Sequence, residues 1–326
     1  MKTLLFIFAL LSIQLLSFSQ VVSGFVLDQS NNAPICFATV YYNGTFAGTS
    51  SDEKGYFELK RYEGNVRPVT VSAIGYYSQT LELDEQSGSL LIRLQPKTYQ
   101  LSGATVEAKS LERKRRRYLR LFRNEFLGTG YNAEHCKIVN EEDVTFNYNS
   151  DKDTIKAYAL KPIVIENCAL GYRVVYYLDT FEYYKKEQAT FFAGNLKFEE
   201  DLSLGANDIE TYQLRREDAY KGSRMHFFRV LWAEELEASL FKIRNEQNVF
   251  LTSEEVLKMD ENHNRYFNYP GRLLIQYGGS RSIIEFIAAP VYFDETGFFN
   301  PGIKWSGRMA LQRVADWLPY EYQDEQ

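Results

Sequence analysis

The stretch from Gly48 to Tyr77 constrains the fold more than any other part of this chain: G-T-S-S-D-E-K-G-Y-F-E-L, a short spacer, then V-T-V-S-A-I-G-Y. Asp52-Glu53-Lys54-Gly55 has the composition of a type I turn closed by a left-handed residue. The Asp52 carboxylate can accept from backbone N–H groups two residues on, and Gly55 reaches positive φ without a Cβ clash. Beyond the turn, Phe57 and Leu59 alternate with Tyr56, Glu58 and Lys60, so one face is apolar and a half-buried strand follows. The stretch reads as a β-hairpin plus a third strand, with Asp52 and Gly55 as its structural turn residues. Such a turn taken alone is generic.

The flanking segments repeat the period. Val22, Gly24 and Val26 alternate with Val21, Ser23, Phe25 and Leu27; Asn31 to Pro34 is a turn; Ala38, Val40 and Tyr42 alternate with Thr39 and Tyr41. Val71 to Ile74, Leu81 with Leu83, and Leu90, Ile92 with Leu94 complete about seven short strands. Strands this short and this closely spaced, separated by Gly, Asn, Asp and Ser clusters, predict a β-sandwich.

The segments G24-F-V-L-D, A33-P-I, A38-T-V, G44-T, G48-T-S-S-D-E-K-G-Y-F and V71-S-A-I-G-Y resemble the carboxypeptidase-like regulatory domain. The resemblance implies a transthyretin-like sandwich of the kind found in Gram-negative envelope proteins and TonB-dependent receptors. It implies no catalysis, because the module is non-catalytic even in peptidases that carry it. Leu101 to Ala108 is similar to the strand that connects this module to a receptor barrel. No serial alternation of the kind a barrel needs follows it.

The start of the chain addresses it for export. Met1-Lys2-Thr3 is a short basic start, Leu4 to Leu16 is almost wholly apolar, and Ser17 and Ser19 place small residues before a predicted cleavage after Ser19. No cysteine follows closely, the first being Cys36, which argues against a lipoprotein anchor. No later apolar run approaches the ~18 residues a membrane span needs. With the resemblance, this places the protein in a Gram-negative-type envelope, periplasmic or associated with the outer membrane. The net charge of −6 argues against nucleic acid as a partner.

Domains are expected at 1–19 (signal peptide), 20–96 (sandwich), 97–128 (connecting strand and basic helix) and 129–320 (a mixed α+β domain). The fold class is therefore mainly β with α+β. Ser110 to Leu127 predicts a helix with Ser110 as N-cap and Leu111, Tyr118, Leu121, Phe122 and Phe126 as its apolar stripe. Further helices are expected near Gly222 to Leu240 and over Arg308 to Leu318, the latter with Leu311, Val314 and Leu318 inward, and strands at 144–148, 154–160, 163–165, 172–178, 273–277 and 283–286. Stretches around Cys168, Arg216 and Trp317 resemble an uncharacterised extension that travels with the regulatory domain and carries no assigned chemistry.

The predicted helix carries the chain's basic block: Arg113, Arg116, Arg117 and Arg120, with Lys114, Arg115 and Arg123. A solvated face pairing with acidic neighbours is the first reading. Contact with an anionic lipid or lipopolysaccharide surface is the second, and nucleic acid comes last.

Catalytic patterns fail one by one. His135, His226 and His263 occupy no zinc-ligand spacing, and His226, between Met225 and Phe227, reads as a packed core histidine. There is no G-x-S-x-G elbow, and Gly278 to Ser282 reads as a hairpin loop. Gly-rich phosphate loops and a full calcium loop are absent. No local motif selects a pair among the 43 acids for glycoside cleavage. No cofactor or metal is expected. Three cysteines leave one unpaired: Cys136–Cys168 is the candidate disulfide, and Cys36 reads as a buried small hydrophobe.

Tyrosine is abundant, at 24 residues, and four Tyr-Tyr pairs occur: Tyr41-Tyr42, Tyr76-Tyr77, Tyr176-Tyr177 and Tyr183-Tyr184. Strand alternation puts one of each pair outward, which nominates Tyr41, Tyr76, Tyr176 and Tyr183 as binding residues for sugars or protein partners. The competing reading is that they rim half-buried sheets. The expectation is a non-catalytic envelope protein that binds or scaffolds a cell-surface glycan or protein. The alternative is a hydrolase of envelope polymers using carboxylates of the second domain.

Overall fold

The structure, a computed structural model, describes residues 21–62, 67–83, 89–97, 108–205, 208–261 and 263–324, with backbone only at 108–111. The predicted leader and nearly all of the predicted connecting strand lie outside the described residues. The chain divides into two compact units, residues 1–43 with 47–101, and residues 102–326 with Gly44–Phe46.

The first unit is a sandwich. β1 (Val21–Asp28), β4 (Tyr56–Lys60) and β7 (Ser89–Leu94) form one sheet in the order β4-β1-β7, with β1 antiparallel to β4 and parallel to β7. β2 (Thr39–Tyr42), β3 (Gly48–Ser50), β5 (Val69–Ser72) and β6 (Gln79–Leu81) form the other in the order β3-β2-β5-β6. Val22, Val26, Phe57, Leu59, Ile92 and Leu94 of one sheet and Val40, Tyr42, Val69 and Val71 of the other share a single buried cluster. The period-2 pattern thus covers one face of each sheet with the other, which removes that apolar surface from water.

The turn at Asp52 differs from expectation in what it connects. β3 pairs with β2 and β4 with β1, so the chain crosses between sheets rather than closing a hairpin. Ser51 is buried and tied to the second sheet's approach: its hydroxyl donates to Ile35 O (2.7 Å) and accepts from Ala38 N (2.9 Å). Immediately after it the turn docks on β1, where Val26 N donates to Gly55 O at 2.8 Å.

In the second unit, β12 (Tyr172–Tyr184) is the central strand of a six-stranded sheet. β13 (Ala189–Glu200) lies along one edge of it. On the other edge lie β11 (Ile163–Asn167) beside its first half and β10 (Thr154–Ala159) beside its second. β8 (Cys136–Ile138) and β9 (Val144–Asn149) extend the sheet beyond β11 and β10. Gly44–Phe46 belongs to this unit: Gly44 N donates to Leu196 O (2.9 Å) and Phe198 N to Thr45 O (3.0 Å), which extends pairing along β13.

α1 (Ala108–Phe126) packs across this sheet, with Phe122 edge-on to Phe181 at 4.8 Å and Phe126 edge-on to Tyr176 at 4.8 Å. It starts two residues before Ser110, so Ser110 lies inside the helix and is not its N-cap. Gly128 at φ 104° follows its end, with Gly128 N donating to Asn124 O.

α2 (Ile209–Tyr220), capped by Asp208, has no counterpart in the sequence reading; α3 (Arg224–Trp232) stops well short of Leu240. α3 buries Phe227, Phe228 and Leu231 against the remaining sheets. These comprise β14 (Phe241–Asn245), β15 (Phe250–Leu251), β18 (Leu273–Tyr277), β19 (Ser280–Phe286) and β21 (Ile303–Gly307), and then β16 (Leu257–Met259), β17 (Arg265–Phe267) and β20 (Val291–Tyr292). The predicted closing helix is only one turn, Arg308–Leu311, then a 3-10 turn at Val314–Asp316. Leu311, expected inward, is exposed, because Gln312 leaves helical geometry and is itself buried.

Candidate functional site

The four tyrosines do not form a surface. Tyr41 is fully buried and its hydroxyl shares a hydrogen bond with Ser72 Oγ at 3.1 Å. Tyr176 is buried beneath α1. Both are corrections, and the reason is that β2 and β12 are covered on both faces, so alternation puts neither residue of the pair outward. Tyr76 is half-buried and donates to Asp28 Oδ2 at 2.7 Å; with Ser30, it holds the Asp28 carboxyl below its ordinary range. Tyr183 is half-buried against the core of the second unit.

The candidate disulfide is not formed. Cys136 and Cys168 are thiols, although the two strand ends meet: Asn167 is Cys136's partner across β8 and β11, and Cys168 N donates to His135 O. Burial, then Asp316, then Cys168 push the Cys136 thiol far above its ordinary value, so it is a protonated, unreactive group. Cys36 is exposed, contrary to expectation.

His226 is a packed histidine. Gly222 N donates to its Nδ1 at 3.1 Å, its ring stacks on Tyr220 at 4.6 Å, and burial depresses it to about 4. Among the described residues no group of three His, Cys, Asp or Glu side chains could hold a metal ion. Asp316 is half-buried and bonded by Asn132 Nδ2 at 2.9 Å, and burial raises its carboxyl above the ordinary carboxylate range. A cavity of about 460 Å³ at the end of α1 is lined by Arg123, Leu127, Gly128, Cys136, Ile138 and Glu141. Of its charged walls, Arg123 and Glu141 pair with each other, and Glu134 and Lys137 also line it.

What the structure does bring together is the arginine stripe. Tyr118, Phe122 and Phe126 are buried on one side of α1. Arg113, Arg116, Arg117 and Arg120, at i, i+3, i+4 and i+7, are exposed on the opposite side over about 10 Å. The flanking cations are used locally. Arg115 donates to the carbonyls of Glu141 (2.8 Å) and Val144 (3.2 Å), Arg123 makes a bidentate pair with Glu141, and Lys114 lies over the Tyr118 and Tyr148 rings. None of the four stripe arginines has a carboxylate partner among the described residues. The aromatic spacing that seats the helix on the sheet is what turns the arginines outward.

Residues 22–106 match the CarboxypepD_reg-like domain family. The match covers the sandwich and agrees with its transthyretin-like arrangement. No curated protein matches the chain. Among solved structures, a protein of unknown function from Bacteroides fragilis NCTC 9343 aligns over 88% of this chain and 94% of its own at 9% identity, with a TM-score of 0.19. A likeness so loose carries no argument. No described helix is long and apolar enough to cross a membrane.

Proposed function

We propose that the protein is a non-catalytic, exported component of a Gram-negative-type envelope that binds an anionic cell-surface glycan on the outer face of α1. In this reading 20–96 is the placement module, 97–128 carries the basic helix, and 129–320 is the domain on which that helix is mounted. The carrying observation is the stripe of Arg113, Arg116, Arg117 and Arg120, exposed and without carboxylate partners among the described residues. Like charges at i, i+3 and i+4 destabilise a helix by about 0.2–0.5 kcal/mol per pair, so the stripe costs stability and returns none to the fold. A polyanion would return it, through screening-sensitive contacts that a chain of net charge −6 makes nowhere else so densely.

A hydrolase would need two placed carboxylates, one with a raised pKa. Asp316, raised by burial, is held by Asn132. The full chain should be retained on immobilised polygalacturonate and released by salt, and should pass through neutral dextran. The variant R113Q/R116Q/R117Q/R120Q should pass through both. Retention of that variant, or shortening of the polymer, would overturn the reading; capture by anionic phospholipid vesicles but not by polygalacturonate would replace glycan with lipid.

A further inference from the structure

A second set of cations in this unit is also short of counter-charge, and it sits among aromatic rings. Arg224, the first residue of α3, has its guanidinium 5.7 Å from the Trp305 ring centre and 6.0 Å from that of Trp317. Trp317 stacks on Phe192 at 6.1 Å with 24° between planes, and Arg313 lies 5.5 Å over Phe192. Trp305, Arg224, Trp317, Phe192 and Arg313 form a row of aromatic and cationic groups, every member half-buried.

The row holds two guanidiniums and one carboxylate. Arg313 has Glu125 at 3.7 Å, and Glu125 also accepts from Thr190 Oγ1. Among the described residues Arg224 has no carboxylate partner, and its hydrogen bond runs from Nη2 to Gln312 O at 2.8 Å. Its Nε and Nη1 make no hydrogen bond among the described residues, and the side chain as a whole is half-buried. Burial lowers Arg224 to about 10; Tyr320 acts in the opposite direction, and Arg313 adds to the lowering. Gln312, whose carbonyl holds Arg224, is buried, and its Oε1 is a buried acceptor without a partner among the described residues, while its Nε2 donates to Ala219 O at 3.2 Å.

A guanidinium without a carboxylate partner suits an anion, and the half-buried tryptophan rings beside it suit the C–H faces of a pyranose. We propose that the Arg224, Trp305 and Trp317 cluster is a subsite for an acidic sugar, with the sugar's carboxylate or phosphate on Arg224 and its ring against tryptophan. The inference deepens the glycan-binding reading, yet it concerns residues remote in sequence from the α1 stripe and can fail separately from it.

Tryptophan fluorescence reads the subsite directly, because Trp305 and Trp317 are two of only three tryptophans. The third, Trp232, faces Arg265 at 4.8 Å and is removed by Trp232→Phe. In that background the full chain titrated with glucuronate or glucose 1-phosphate should give a saturable change that added salt weakens. Glucose should give none, and whichever of the two anions binds more tightly identifies the acidic group. Arg224→Gln should weaken binding at least tenfold with an unchanged far-ultraviolet spectrum, and Arg224→Lys should fall between. If Arg224→Gln does not fold, the discrimination between glucuronate and glucose decides alone. A response equal for glucose, the absence of any saturable response, or full response in folded Arg224→Gln overturns the proposal. The R113Q/R116Q/R117Q/R120Q variant should keep this titration while losing the polymer, which separates failure of the subsite from failure of the α1 reading.

Discussion

His226 gives the second unit a pH dependence with a definite sign. Its neutral ring accepts from Gly222 N and packs against Tyr220 and Phe241, and burial, then Arg229 and Lys221, depress it to about 4. In the unfolded chain the imidazole titrates near ~6.5. The folded value is the lower one, so between these values the unfolded state binds more protons, and stability present above ~6.5 is lost as pH falls toward about 4. The thermal midpoint should drop across that window, and His226→Gln should flatten the drop. Carboxylates held low by partners, such as Asp153 beside Lys185 and Asp143 beside Asn140 and Lys161, add their own loss only below their ordinary range. An undiminished slope in His226→Gln would contradict this account.

The turn at Asp52 is the second residue-scale case. Asp52 Oδ1 accepts from Lys54 N and Tyr56 N, both at 2.8 Å, and Gly55 has φ 76° with a Cβ there falling 2.6 Å from Val26 O. Gly55→Val should cost about 1–3 kcal/mol and Asp52→Ala about 1–2 kcal/mol, read from denaturant midpoints. Gly55→Val at wild-type stability would mean the turn relaxes. The D-E-x-G-aromatic pattern at Asp294 builds the same loop, with Asp294 Oδ1 accepting from Thr296 N and Phe298 N and Gly297 at φ 82°. Turn chemistry was therefore legible in both places. Which strand each side of the turn would pair with was not, because docking on Val26 and burial of Ser51 decide it from a distance.

At the scale of the element, α1 divides its labour between two faces. Phe122 is fully buried and touches Phe126, Phe146 and Phe181, so Phe122→Ala should cost about 3–5 kcal/mol. The arginine stripe should respond in the opposite direction: replacing all four by Gln should leave the thermal midpoint unchanged or raise it while abolishing glycan retention. A variant that loses stability and binding together would mean the arginines hold the fold. The aromatic spacing that seats this helix was legible because 3.6-residue periodicity reports burial directly. The tyrosine pairs misled because period 2 separates two faces without saying whether both are covered, and in β2 and β12 both are. The C-terminal helix misled because Leu311, Val314 and Leu318 keep helical spacing, while buried Gln312 and the Val314–Asp316 turn satisfy the backbone in another way.

At the scale of the whole molecule, fold and chemistry were unequally legible. The sandwich follows from short strands and turn residues, and the family match over 22–106 coincides with it. The second unit joins a helix-covered six-stranded sheet to a second core around α3, an arrangement assembled from contacts distant in sequence. No motif marked either of its uncompensated cation clusters; the α1 block was visible as charge, and its lack of partners only as structure. The measurement that tests the central claim is the salt dependence of polygalacturonate binding by the full chain, beside R113Q/R116Q/R117Q/R120Q, with polymer length followed throughout. The account predicts wild-type affinity falling steeply and linearly in log salt, a markedly shallower slope and at least tenfold weaker binding in the variant, and a polymer of constant length. Equal slopes, or a shortening polymer, would contradict it.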